Sequence, residues 1–205
     1  PLVVDYRIQF GAQFEIERNP KSEVYNQIEM DLQYAASVLP VAQAQVGRIT
    51  KGAASALLGK VYLFQEKFSE AAASFDQVIS GPYNLISDYN SIFEKEGENN
   101  QESIFEIQYT DQEGAGFGCL QCSEGNVAVG FNGIRNYSGP LFESGFSFNV
   151  PTQDVVDAFE PGDIRKDVAI LDINSWASQT GATFATGYEH TGYYNRKYMS
   201  RQGDL

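Results

Sequence analysis

A mainly α fold, with paired helices in its first half and a loop-rich second half holding a few short strands, is what this 205-residue sequence predicts, on three observations. Residues 22–80 repeat apolar side chains at three- and four-residue steps, the stripe of amphipathic helices. Capping and stop residues stand at the ends of these stripes. After Pro82 the helical period lapses, and glycines, aromatics and short alternating runs take its place. With 42% hydrophobic residues, the chain is long enough to bury a substantial core.

The first helix reads from residues 22–39, SEVYNQIEMDLQYAASVL, which place Val24, Tyr25, Ile28, Leu32, Ala35, Ala36 and Leu39 at helical spacing. Ser22 is its expected cap and Pro40 its stop. A second helix is expected after Thr50, as N-cap, through Ala53, Ala54, Leu57, Leu58, Val61, Tyr62 and Phe64 to about Lys67. The third follows at once, capped by Ser69, and carries Ala72, Phe75, Val78 and Ile79 to a stop at Gly81-Pro82. Across these two helices the spacing becomes that of a tetratricopeptide unit: Leu58-Gly59, Tyr62, Phe68, Ala71 and Phe75, all in register. Gly59 and Ala71 let two backbones approach, while Tyr62 and Phe75 fill the space beside them. The same template, counted back from Pro40, sets Ile28, Leu32 and Ala35 on the second helix of an earlier unit. The sequence is therefore expected to begin inside an array, with helices beyond it completing the stack, because a lone unit cannot bury its face.

Beyond Pro82, Asp88 to Phe93 reads as a short helical turn and GENNQE as a polar turn. Ser103 to Thr110 alternates Ile104, Glu106 and Gln108 against Phe105, Ile107 and Tyr109, as a strand would. Residues 110–148 hold eight glycines among Phe117, Phe131, Arg135, Tyr137, Phe142, Phe146 and Phe148. A loop of this length is usually functional or disordered, and its aromatics argue against disorder. A last helix is expected from Thr152 through Val155, Val156 and Phe159 to a turn at Pro161-Gly162. From Asn174 onward the chain again reads as aromatic loop, with Trp176, Phe184, Tyr188, Tyr193, Tyr194 and Tyr198. The expected division is a tetratricopeptide-like helical part, 1–101, and a loop-rich part, 102–205, within one compact domain.

Charge and motifs exclude several classes of function. Lysines and arginines number 14 against 27 acidic residues, for a net charge of −13 that repels phosphate backbones and anionic headgroups, so nucleic acid is not an expected partner. No run approaches the ~20 apolar residues of a membrane span, and no secretion signal opens the sequence at Pro1. Cys119 and Cys122 are spaced C-x-x-C, but a zinc site needs two further ligands and the sole histidine, His190, lies far along the chain. Glycines and polar residues surround the pair rather than the helix start that activates a redox thiol, so neither a metal nor a cofactor is expected. There is no G-x-S-x-G, H-E-x-x-H or P-loop, and GAGFG at 114–118 lacks both the third glycine's spacing and a following helix. Two carboxylates suffice for a glycosidase, and Glu94 with Glu96, or Glu98 with Glu102, could form such a pair. They sit in a polar turn where a solvated surface is the ordinary reading, so no catalytic residue is assigned.

Aromatic residues in glycine-rich loops suit a sugar, whose apolar ring face stacks on an indole or phenol while amides and guanidinium groups bond its hydroxyls. Trp176, Tyr137, Tyr193 and Tyr194 are the candidates for stacking, with Arg135, Asn136 and Asn195 as polar neighbours. Long loops also pack themselves down with Phe and Tyr, so exposure decides between the roles. Coplanar exposed rings mean a sugar platform; buried rings mean packing.

Several segments stand in a distinctive order: Pro1-Leu2-Val3, SEVYNQIEMDLQYAASVLP, the unit from Arg48 to Ile79, ESIFEIQY from Glu102 to Tyr109, NVPTQDVVDAFEPGDIRKD from Asn149 to Asp167, and RKY from Arg196 to Tyr198. In that order they resemble the SusD/RagB family of outer-membrane nutrient-binding lipoproteins of Bacteroidetes. The resemblance implies a SusD-like α/α superhelix whose tetratricopeptide helices pack against a SusC-like, TonB-dependent outer-membrane transporter. It implies loops that capture a glycan or oligosaccharide without catalysis, on the extracellular face of the cell outer membrane. Asp163 and Arg165 are implied to be scaffold, and no binding residue is carried over by motif. Family members are longer, so the lipid-anchor cysteine and the opening and closing helices are expected outside this sequence; neither Cys119 nor Cys122 is the lipidated residue. Two rivals remain, a tetratricopeptide protein-protein interaction module gripping a peptide and a carboxylate-based glycoside hydrolase.

Overall fold

The computed structural model of the chain describes residues 2–4, 6–11, 17–108 and 130–203. Cys119, Cys122, Phe117 and the GAGFG run, all weighed above, lie outside the described residues. The chain divides into two compact units, Pro1–Leu85 with Gln101–Ile107, and Ile86–Asn100 with Gln108–Leu205. Residues 86–100 belong with the second unit and 101–107 with the first.

The first unit is helical. α1 spans Lys21–Val38, α2 Lys51–Leu63 and α3 Phe68–Ile79. Thr50 caps α2 as expected, its hydroxyl accepting the Ala53 N–H at 3.2 Å. Ser22 and Ser69 do not cap their helices, because each helix begins earlier. Pro20 occupies the N-cap position of α1 and Lys67 that of α3, neither with a side-chain cap. The turn between α2 and α3 explains the second case. Glu66 takes a left-handed φ of 61°, and the Lys67 N–H reaches back to the Tyr62 carbonyl at 3.0 Å, so Phe68 is already helical. At the α2–α3 contact a Cβ on Gly59 would lie 2.6 Å from the Phe75 ring. Leu58, Tyr62 and Ala71 are buried there, with Leu32 of α1 and Phe75 packed against them. α1 is tied in by polar contacts: Gln33 Nε2 donates to the Tyr62 hydroxyl at 2.8 Å, and Glu29 accepts from Gln65 at 2.6 Å and pairs with Lys67 at 2.5 Å.

In the second unit, a 3-10 turn at Tyr89–Phe93 is capped by Asp88, which accepts the Asn90 N–H at 3.1 Å. There follow α4 (Gln153–Asp157), α5 (Arg165–Ala169), β1 (Ile170–Asp172), α6 (Ile173–Thr180) and β2 (Tyr193–Asn195). β1 and β2 pair antiparallel with Leu171 opposite Tyr194. The strand expected from Ser103 to Thr110 is not found over 103–108, while Tyr109 and Thr110 lie outside the described residues. Alternation alone does not make a strand; a neighbour must complete the ladder. The helix at Thr152 is shorter than expected and is not the last. α6 turns part of the expected aromatic tail, 174–180, into helix. Its signals are standard ones: Asp172 accepts the N–H groups of Asn174 and Ser175, both at 3.0 Å, and Gly181 ends it at φ 74°.

The core of this unit gathers Ile134, Tyr137, Phe142, Leu171, Ile173, Ala182, Tyr194 and Met199, with Val150, Trp176 and Phe184 against it. Beside it Arg201, only 8% exposed, grips Glu94 through two nitrogens at 2.8 and 3.0 Å and gives Nη1 to the carbonyls of Met199 and Arg196. Asp163 and Arg165 bond each other across one turn at the start of α5. Among the described residues no helix is long and apolar enough to cross a membrane.

Candidate functional site

The aromatic residues singled out from sequence lie mostly in the core of the second unit. Tyr194 is 1% exposed. Tyr137 is buried, and its hydroxyl donates to the Pro140 carbonyl at 2.7 Å while accepting the indole N–H of Trp176 at 2.8 Å. Trp176 is half-buried, its ring centroid 5.5 Å from that of Phe142. Tyr137 and Tyr194 are thus buried in the core, and Trp176 packs against it while half-buried. Tyr193 is half-buried and donates its hydroxyl to Gln153 at 3.1 Å; Asn195, in the same strand, is half-buried. Asn136 is exposed, in a left-handed turn at φ 50°. Arg135 sends Nη2 to the Phe146 carbonyl at 2.7 Å and its backbone N–H to Ser147 Oγ at 2.9 Å.

Those two bonds lead from Arg135 to a cluster of more exposed rings. Phe146 and Phe148 are 46% and 53% exposed. Their rings lie 6.1 Å apart and only 26° from parallel. Phe131 stands 5.7 Å from Phe148 at 32°, and 6.3 Å from Phe146. The backbone holds them by pairing two segments. The N–H groups of Phe146 and Phe148 donate to the carbonyls of Gly130 and Phe131 at 3.0 and 2.7 Å, and Ser147 donates to Gly133 at 2.8 Å. The segments touch where Gly133 meets Gly145: a Cβ on Gly133 would lie 2.7 Å from the Gly145 Cα, so only glycine fits. Ser147 and Asn149 take left-handed φ values of 58° and 55° on either side of Phe148. Such conformations cost energy and cluster at sites of function. Asn149 Nδ2 donates to Asn132 Oδ1 at 3.1 Å, placing amides next to Phe131 and Phe148 in the chain.

This arrangement offers apolar ring faces bordered by amides and one guanidinium, the pairing that holds a sugar ring. It offers little for acid-base chemistry. Glu94, one member of the carboxylate pairs considered, is held by Arg201 at 2.8 Å. Among the described residues no group of three His, Cys, Asp or Glu side chains could hold a metal ion. From sequence, Phe131, Phe146 and Phe148 stand out only as loop aromatics, while Trp and Tyr are the expected stacking residues. The available signal was the Phe146-Ser147-Phe148-Asn149 run, which puts two rings at i and i+2 beside an amide.

No protein-family model matches the chain. The chain is 28% identical over 174 residues to the SusD-like protein P2 of Formosa agariphila, an alignment covering 82% of this chain and 33% of that protein. Among solved structures it is similar to a laminarin binding SusD-like protein, with a TM-score of 0.78 and 36% identity over 88% of this chain and 42% of that one. It is also similar to surface glycan-binding protein A from Bacteroides fluxus, with a TM-score of 0.75 and 28% identity over 89% of this chain and 40% of that one. The chain thus spans between 33% and 42% of the length of these relatives.

Proposed function

We propose that this chain, SusD-like in both sequence and fold, is the glycan-capturing part of a surface nutrient-binding protein, and that it holds an uncharged glycan on the Phe146–Phe148 platform without cleaving it. The observation that carries the reading is the pair of near-parallel rings, each about half exposed, bordered by Phe131, Arg135 and the two asparagines. The names of two relatives support the class of ligand, one being laminarin binding and the other surface glycan-binding. The net charge of −13 favours a neutral glycan over a polyanionic one. Of the residues chosen from sequence, Arg135 borders the proposed platform as a hydroxyl partner.

The wider setting rests on the family resemblance alone. In it the protein is lipid-anchored at the extracellular face of the outer membrane and passes its glycan to a TonB-dependent transporter, against which the helical unit packs. Co-purification of the full-length protein with such a transporter tests that part separately.

Affinity electrophoresis and isothermal titration against a broad panel of neutral polysaccharides test the binding. Ring stacking contributes about 0.5–1.5 kcal/mol per aromatic beyond area burial, so Phe146→Ala and Phe148→Ala should each weaken binding about three- to tenfold. Silence across the panel, or full affinity in the double variant, removes the reading. Release of reducing sugar from a bound glycan would replace it with the hydrolase alternative.

A further inference from the structure

We infer that His190 makes the phenylalanine platform sensitive to pH, because its ring ends a hydrogen-bonded relay through Tyr194 and Ser147 that holds the turn between Phe146 and Phe148. The effect on glycan binding rests on the platform reading above; the relay itself does not.

His190 is the only histidine of the chain. Its half-buried ring lies between those of Phe184, at 5.7 Å, and Tyr194, at 6.1 Å. Nδ1 is 3.5 Å from the Tyr194 hydroxyl, which is 3.3 Å from Ser147 Oγ. Ser147 Oγ in turn accepts the Arg135 N–H at 2.9 Å. Histidine is the side chain that ordinarily changes charge between about pH 5 and 8.

The Arg135 amide can only donate, so it fills one of the two acceptor positions on Ser147 Oγ. With a lone pair on Nδ1 of His190, the Tyr194 proton goes to Nδ1 and the Ser147 proton to the Tyr194 oxygen, and every bond points the same way. A proton on His190 turns Nδ1 into a donor. Tyr194 must then donate back to Ser147, which already accepts from Arg135, and the Ser147 proton loses its acceptor. Tyr194 itself is buried, at 1% exposure.

Ser147 is the joint that feels this reversal. It holds a left-handed φ of 58° and links the two exposed rings directly. The bonds of 3.3 and 3.5 Å are long, so a small shift breaks them. Two charged groups stand close by. Glu189 is the chain neighbour. The Arg135 guanidinium lies against the same loop, where a Cβ on Gly187 would come within 2.5 Å of Nη1. Neither opens a second path to Ser147 except Arg135, whose amide already belongs to the relay.

Two measurements on the full chain test this, with laminarin as the probe. Between about pH 8 and pH 5, wild-type affinity should fall roughly three- to tenfold with the titration of His190, followed by the NMR signals of its ring. The backbone amide signals of Phe146, Ser147 and Phe148 should move with the same midpoint. Tyr194→Phe keeps the ring and removes the hydroxyl; it should abolish both responses at 146–148 while His190 still titrates. Ser147→Gly, which suits the left-handed φ, is the second variant and should do the same if Tyr194→Phe fails to fold. Amides that track His190 without binding of any neutral polysaccharide of the panel at any pH would uphold the relay and remove the platform reading. Amides at 146–148 indifferent to His190, or an unchanged pH response in the folded variant, would overturn the relay.

Discussion

The same aromatic side chain can face a ligand or a core, and Trp176 shows how the choice is made. Its indole N–H goes to the Tyr137 hydroxyl at 2.8 Å and its ring lies on Phe142, so both its polar and its apolar parts are taken. Trp176→Ala should therefore destabilise the second unit. Full truncation of a core Trp costs about 3–5 kcal/mol, and a half-buried one about 2–4, which a denaturant titration would read. Glycan affinity of the folded variant should be unchanged; a selective loss of affinity at normal stability would return Trp176 to the site. Phe146 and Phe148 give the opposite pattern, with little loss of stability and a loss of binding. Residue type alone does not separate the two roles. A phenol or indole is as useful in either, and the partners that decide lie tens of residues away, as Tyr137 and Phe142 do from Trp176.

Elements were legible where their signals are local. The α2–α3 hairpin shows this, because Thr50, Gly59, Tyr62, Ala71 and Phe75 each act on a neighbour within one or two turns or across one contact. Gly59→Ala should push the Phe75 ring aside, at a cost of about 1–3 kcal/mol in thermal or denaturant unfolding. α6 was equally readable, from the Asp172 cap and Gly181 stop, but its aromatic content suggested a loop. The strands β1 and β2 were not readable: each has three residues, too few to show alternation, and their pairing joins positions 170–172 to 193–195. A pH dependence belongs to the same scale. Burial alone would raise the pKa of Glu29, but hydrogen bonds from Lys67 and Gln65, and the charge of Lys67, outweigh it and hold the carboxyl below the usual glutamate value. A lowered folded-state pKa contributes stability above the unfolded-state value, and that contribution is lost as pH falls through the folded one. The helical unit should therefore lose stability below about pH 4.3, and Glu29→Gln should flatten that part of the profile. Identical acid profiles for variant and wild type would show that the contact contributes nothing to this titration.

At the scale of the whole molecule, charge separates the ligands that the platform alone would accept. The chain carries a net charge of −13, and the Arg135 guanidinium beside the proposed platform already donates to the Phe146 carbonyl. Stacking and neutral hydrogen bonds are short-ranged and barely screened, whereas the repulsion between an acidic protein and a polyanion acts over about a Debye length, roughly 10 Å at 0.1 M salt. The two contributions respond differently to ionic strength. Affinity for a neutral glycan bound on the platform should change less than about twofold between roughly 50 mM and 500 mM NaCl, because no ion pair is formed or lost. A polyuronate such as alginate should bind weakly at low salt and somewhat better at high salt, as the repulsion is screened. A steep loss of affinity with salt for either glycan would mean that charge attraction carries the binding. Phenylalanines 146 and 148 would then be the wrong place to look, and the cations of the chain, beginning with Arg135, the right one.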